Sequence, residues 1–202
     1  MAVFSNEIEL TNYFAEEIKG QYKKVFPNVN PASHDLYEFW QEWFGQEQVV
    51  AQPQLDLIMV PSNLDILTAE LKYFRGRRPD SPFYAGIEEA LASLRFGAVC
   101  VSLLHFFDQT VPDETIRKFV TETRNLILNL NLPINYEAFK CIRKTVDDQV
   151  QRQITYLHTD FSESERFPSL YGKSNPYHEA DKAKRMQDFL RKALSIPSKS
   201  IS

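Results

Sequence analysis

The chain is poor in cysteine, in glycine and in long apolar runs. Only two cysteines, Cys100 and Cys141, occur in 202 residues. Both are flanked by apolar residues and read as buried, inert thiols. That excludes a disulfide framework, and no Cys/His spacing suggests zinc. Six glycines leave no loop able to cradle phosphates on glycine backbone. No apolar run approaches the roughly 20 residues that cross a membrane, and the opening MAVFSNEIELTNYF lacks the apolar stretch of a signal peptide. We therefore expect an intracellular chain with no membrane partner. An excess of positive charge is also missing. Lys and Arg total 23 against 27 Asp and Glu, a net charge of -4. This argues against a wholly basic nucleic-acid binder but leaves room for a local basic patch. The four histidines (34, 105, 158 and 178) are scattered, no Ser/His/Asp arrangement is visible, and His105, inside an apolar segment, reads as a satisfied core histidine.

What is present supports a sizeable core, since 43% of residues are hydrophobic and 13% aromatic. Apolar residues at helical spacing predict a helix over 4–25 and a second over 34–44. The period then changes. Val49–Val50 suggest a short strand, and LDLIMV (55–60) and ILTAELKYF (66–74) read as two strands around the turn PSNLD. Residues 84–96 read as a helix, and 98–107 as a buried central strand. A helix follows from Pro112 to about Leu130. Beyond Leu132 the pattern predicts a helix over 136–157, a polar loop over 159–176 and a basic helix over 177–195. The expected fold class is α/β: helix, three-strand meander, helix and strand around a mixed central sheet. Residues 1–132 would form the core domain, and 133–202 a helical extension packed on it.

Side chains alternate along a strand. Glu70 and Lys72 therefore share a face with Thr68 and Phe74, while Ala69 and Leu71 point to the other. With 61–65 as the turn, Val60 pairs with Ile66 and Asp56 falls opposite Glu70, about 5 Å away at Cβ. Two carboxylates that close repel unless a positive charge neutralises them. A hard cation such as Mg²⁺ selects such oxygens, and Lys72 would stand beside it. The competing reading is an exposed sheet face on which Lys72 pairs with one acid. Against it, an acid inside LDLIMV is costly to bury unless paired or ligated. On the first helix, Glu7 falls within roughly 30° of the centre of the apolar face, whereas Glu9 and Glu16 lie opposite. Glu7 either joins the pair as a third acid or stays wet in the first turn, where acids favour the helix dipole.

Asp56 followed by Glu70-Leu71-Lys72 on the next strand resembles the PD-(D/E)XK nuclease superfamily. The proline is displaced, the sequence reading Pro53-Gln54-Leu55-Asp56. ELKYF, YAGIEEALASLRFG and VSLLHFFD are further similar to archaeal and archaeal-virus members, among them proteins of the spindle-shaped viruses of hot acidic springs. The layout resembles that of archaeal Holliday junction resolvases. The resemblance covers about half the chain. It implies a restriction-endonuclease-like core with Asp56, Glu70 and the Leu71 carbonyl on a metal, Lys72 on the catalytic water, and Glu7 as the helix-one acid. It also implies a homodimer in the host cytoplasm, acting with Mg²⁺ or Mn²⁺ on duplex or branched DNA. Glu89 stands where related proteins carry a supporting glutamine, which leaves its role open.

Arg75, Arg77 and Arg78 follow the Glu-x-Lys strand directly. They would either clamp phosphates at the mouth of the site or line a solvated loop. Lys182, Lys184, Arg185, Arg191 and Lys192 either track a nucleic-acid backbone or form a solvated face. The leading expectation is a metal-dependent DNA endonuclease selective for DNA structure. The alternative is a catalytically inactive nuclease fold that binds DNA or a protein partner.

Overall fold

The computed structural model describes residues 2–44 and 54–198. The suggested strand at Val49–Val50, and Pro53, lie outside the described residues. Helix α1 spans Glu7–Ile18. The Asn6 side chain caps it, accepting the Glu9 N–H at 2.8 Å, so one orphan donor of the first turn is satisfied. Leu10, Phe14, Ala15 and Ile18 bury its inner stripe. The helix expected over 4–25 is shorter than that. After one 3₁₀ turn (Lys19–Gln21), residues Lys24–Val29 form strand β1. This strand is the edge of the sheet, where Pro27 is tolerated because an edge can lack a ladder donor.

The remaining elements are α2 (Tyr37–Phe44), β2 (Leu55–Val60), β3 (Leu67–Phe74), α3 (Ile87–Ser93), β4 (Cys100–Asp108), α4 (Asp113–Asn129), β5 (Asn135–Val146), β6 (Gln149–Leu157), β7 (Glu163–Ser164) and α5 (Asp181–Ala193). Among the described residues, one sheet carries seven strands in chain order. The β1–β2–β3 meander is antiparallel, β3–β4 and β4–β5 are parallel, and β5–β6–β7 is antiparallel again. The mixed α/β class and the expected order of helix, meander, helix and strand are both found.

The sheet is covered on both faces. On one, Phe14 of α1 packs edge-on to Phe106 at 5.0 Å and tilted against Phe139 at 5.3 Å. On the other, Ile87 and Ala90 of α3 meet Val101 and Leu103, and Ile116 and Val120 of α4 meet Phe74 and Phe107. Each of the larger side chains contributes about 1.5–3 kcal/mol by leaving water. Helices α2 and α5 close the β1–β2 end, with Trp40 edge-on to Phe189 at 5.5 Å.

The C-terminal third departs from expectation. Residues 136–157 are not helical. They form the hairpin β5–β6, which extends the sheet beyond residue 132. The parallel edge of β4 offers unpaired backbone groups that a strand satisfies and a helix does not. The basic helix is present as α5, but its charges are largely spent within the fold. Lys184 pairs with Glu179 at 2.9 Å, Arg191 donates to the Leu64 carbonyl at 2.7 Å, Arg185 donates to the Trp43 carbonyl and Lys192 pairs with Glu42. The helix is a packing element that ties α2 to the sheet. Among the described residues, no helix is long and apolar enough to cross a membrane.

Candidate active site

The site lies where β2 and β3 part. Their ladder runs Met59↔Leu67, Ile58↔Thr68, Leu57↔Ala69. The same register places Asp56 opposite Glu70. Beyond that point β3 continues to Phe74 paired only with β4, so its other backbone edge loses β2 as a partner. Asp56 supplies the substitute: its Oδ2 accepts the Leu71 N–H at 2.9 Å. Leu71 itself is buried in the core under α1, so only its main chain is turned to the site.

Asp56 and Glu70 are 8% and 5% exposed, too little to be hydrated as free ions. Lys72 reaches back along β3 to pair with Glu70 at 2.7 Å. It also pairs with Glu89 of α3 at 3.1 Å and lies 3.9 Å from Glu7 of α1. Glu7 accepts the Tyr73 N–H at 3.1 Å, two residues beyond Leu71 on the same edge of β3 that β2 has left. Four elements thus bring four carboxylates together, three of them around one ammonium. Glu7, one of two readings from the helical wheel, joins the group as the third acid. Of the other apolar-face positions on that helix, Ile8 is exposed and lines the cavity in front of the acids.

The electrostatics follow from burial. Desolvation raises the Asp56 carboxyl, against the opposing Leu71 hydrogen bond and Lys72 charge. Desolvation and the Asp56 charge push Glu70 up to about 8. Glu7 is raised by burial as well, partly offset by Lys72. Burial works against the Lys72 ammonium, but the hydrogen bond and charge of Glu70, with the charges of Glu7 and Glu89, reverse this and hold it above its ordinary value. One lysine does not neutralise the group, so the site retains an appetite for positive charge.

Among the described residues, no three acidic, histidine or cysteine side chains form a ready-made metal cage. The oxygen donors of Asp56 and Glu70 nevertheless suit a hard divalent cation. The cavity in front of them has a volume of about 590 Å³, and Asn28, Gln54, Ser93 and Phe96 also line it. The three arginines are not among its lining residues. Arg75 turns back to the Ser5 carbonyl at 2.6 Å and lies over the Tyr73 ring. Arg77 and Arg78 are exposed on the loop after β3.

Two further residues hold the site and escaped the sequence reading. Tyr73 donates from its hydroxyl to Asp108 Oδ2 at 2.5 Å and accepts the Phe4 N–H at 3.1 Å. Asp108, at the end of β4, also accepts the Val3 N–H at 2.6 Å. Together they pin the segment before α1, and so the position of Glu7. The one sequence signal was an acid ending an otherwise apolar strand. His105 is the satisfied core histidine expected: fully buried, with its two ring nitrogens 3.0 Å from the Ala85 carbonyl and 3.0 Å from the Tyr136 hydroxyl. Burial pushes it down to about 4.

Comparison with known protein families finds no match for this chain, and none is found among curated proteins. Among solved structures, the chain is similar to SfsA of Pyrococcus furiosus, determined in complex with Ca²⁺. The two are 18% identical over 55% of this chain, with a TM-score of 0.31. The match spans half the length of that protein. Nothing about activity is transferred at that level of likeness.

Proposed function

We propose that this chain is a metal-dependent nuclease that hydrolyses phosphodiester bonds in DNA. One observation carries the reading: at the fork of β2 and β3, two nearly buried carboxylates face each other with a lysine ammonium 2.7 Å from one of them. A purely structural ion pair needs one acid. Here Asp56, Glu70 and Glu7 are all raised by burial, and perturbed carboxyls gathered in a cleft mark a candidate functional site. Asp56 and Glu70, with the Leu71 carbonyl, would hold Mg²⁺ or Mn²⁺. When bound, the ion supplies a Lewis acid for a phosphoryl oxygen and an activated water. Lys72, held protonated by its neighbours, would donate hydrogen bonds to that water and to the charge growing on the phosphoryl group. Glu7 and Glu89 orient the ammonium. Cleavage of linear duplex, single-stranded and branched DNA with Mg²⁺ or Mn²⁺ is the test, beside Glu70→Ala and Lys72→Ala. Cutting that survives both substitutions would sink the reading.

A second reading is favoured by the carboxylates that already engage Lys72. In it, the lysine replaces the metal and the protein binds DNA or a protein partner without cutting. Calorimetric titration with Mn²⁺ separates the two, because this second reading requires that no ion bind at the Asp56–Glu70 pair.

A further inference from the structure

The acids line only part of the cavity. The nuclease reading does not use the uncharged remainder of the lining. It includes Ile8 from α1, Asn28 from β1, Gln54 just before β2, Ala92 and Ser93 at the end of α3, and Phe96 in the 3₁₀ turn that follows. None of these side chains is charged. Ile8 is 57% exposed, an apolar side chain turned to the cavity rather than to the core.

Asn28 is the unusual member. Val25, Phe26 and Pro27 pair with β2 on one side of it and Val29 on the other, yet Asn28, level with Asp56, is skipped. Its φ is 52°. A non-glycine residue in the left-handed region within a strand is strained, and such strain persists where the surroundings impose it, commonly at ligand sites. Asparagine tolerates this conformation better than most residues. One of its amide hydrogens goes to Asn12 Oδ1 at 3.0 Å. That bond fixes the amide plane and leaves the carbonyl oxygen and the second hydrogen available. Gln54, two residues before Asp56, brings a second exposed amide to the same cavity.

We propose that this uncharged part of the cavity, around Asn28, Gln54 and Ile8, is a nucleobase subsite, which takes one base unstacked from the substrate strand while its phosphate lies toward Asp56, Glu70 and Lys72. The inference rests on the nuclease reading for the phosphate end alone. Paired amides match the donor and acceptor edges of a base. The exposed apolar side chain of Ile8 suits one of its faces, which single-strand binders cover with apolar or aromatic side chains. The volume of about 590 Å³ lies within the range of small-molecule clefts, roughly 300–1,000 Å³, and a stacked duplex would not enter it. The substrate class is therefore a strand with an unpaired nucleotide next to the bond that is cut, such as a single strand, a flap or a branch point.

Uncharged deoxynucleosides test this without the metal and without cleavage. Titrating deoxyadenosine and deoxycytidine into the metal-free full chain, with deoxyribose as control, the side-chain amide resonances of Asn28 and Gln54 should shift for a nucleoside and not for the sugar. Asn28→Gly keeps the left-handed backbone while removing the amide, and it should weaken nucleoside binding by roughly tenfold. Ile8→Ala should weaken it as well. The subsite is overturned if deoxyribose shifts the same resonances equally, or if Asn28→Gly binds nucleosides as the parent does. Loss of DNA cleavage in the parent protein would sink the nuclease reading and leave these titrations to decide the subsite.

Discussion

The Asp56 carboxylate takes the hydrogen bond of the Leu71 N–H, 2.9 Å away, at the point where β2 stops pairing with β3. A side chain thereby completes a backbone ladder and is held, nearly buried, facing Glu70. This bond makes Asp56 structural as well as chemical, and the two roles separate by substitution. Asp56→Asn keeps an acceptor oxygen for Leu71 and should fold with near-parent stability while losing metal-dependent cleavage. Asp56→Ala leaves a buried N–H unsatisfied and should cost about 1–3 kcal/mol in urea unfolding. Equal stability of the two variants would show that the bond does not matter.

The acids make stability depend on pH in a defined direction. Glu70 in the fold sits near 8, against an ordinary value of 4.5, and Asp56 and Glu7 are raised too. The folded state thus binds more protons than the unfolded one across that interval, and stability contributed by the protonated acid is lost as pH rises through it. His105 works the other way: its fall from 6.5 to about 4 removes stability as pH drops through that range. The raised Lys72 is lost only at strongly alkaline pH. The two opposing slopes overlap below pH 6.5, so the clean window is pH 6.5–8. The metal-free protein should lose stability across it. Glu70→Gln should flatten the slope, and Mn²⁺ should do the same by favouring the ionised acids. A rising melting temperature between those pH values would contradict the assignment.

Glu70 and Glu89 both touch Lys72, yet they should differ in consequence. Glu70 is nearly buried, whereas the Glu89 side chain is 49% exposed. Exposed pairs contribute about 0–1 kcal/mol. Glu89→Gln should leave stability within that range and cleavage within about fivefold. Glu70→Gln should lower cleavage by roughly 10²–10³-fold. Comparable losses from both would mean that Glu89 belongs to the reacting group.

Tyr73→Phe probes the tether. It removes the donor to Asp108 and the acceptor for Phe4 without touching the cavity. The expected cost is about 1–2 kcal/mol. Cleavage should fall as well, because the segment that positions Glu7 loosens, and amide exchange at residues 3–9 should speed up. Unchanged exchange there would remove the tether from the account.

The β5–β6 turn offers a gain in stability. Asp147 and Asp148 both have positive φ, 49° and 61°, the type I′ geometry of a two-residue hairpin. Asp148→Gly should stabilise the protein by about 0.5–1 kcal/mol, read from the urea midpoint. A lower midpoint would contradict the strain argument.

The sequence by itself determined what depends on neighbours along the chain. Alternation placed Glu70 and Lys72 on one face, a short turn set the register that puts Asp56 across from Glu70, and helical spacing singled out Glu7. These are local, and backbone geometry enforces them wherever the segment goes. Residues 136–157 show the limit. Tyr136, Phe139, Ile142, Val146, Val150 and Ile154 recur at helical spacing, yet the segment is a hairpin whose outer half stands in solvent. A half-wet hairpin has no clean alternation to read, and the unpaired edge of β4 decided its form. Tertiary structure alone also decided that Glu89 reaches Lys72, that Arg75 turns back to Ser5, that Asp108 and Tyr73 hold the entry to α1, and that Asn28 is forced out of its ladder beside the cavity. Each of these depends on groups far apart in sequence being packed together, and only the burial of the whole sheet fixes which of them meet.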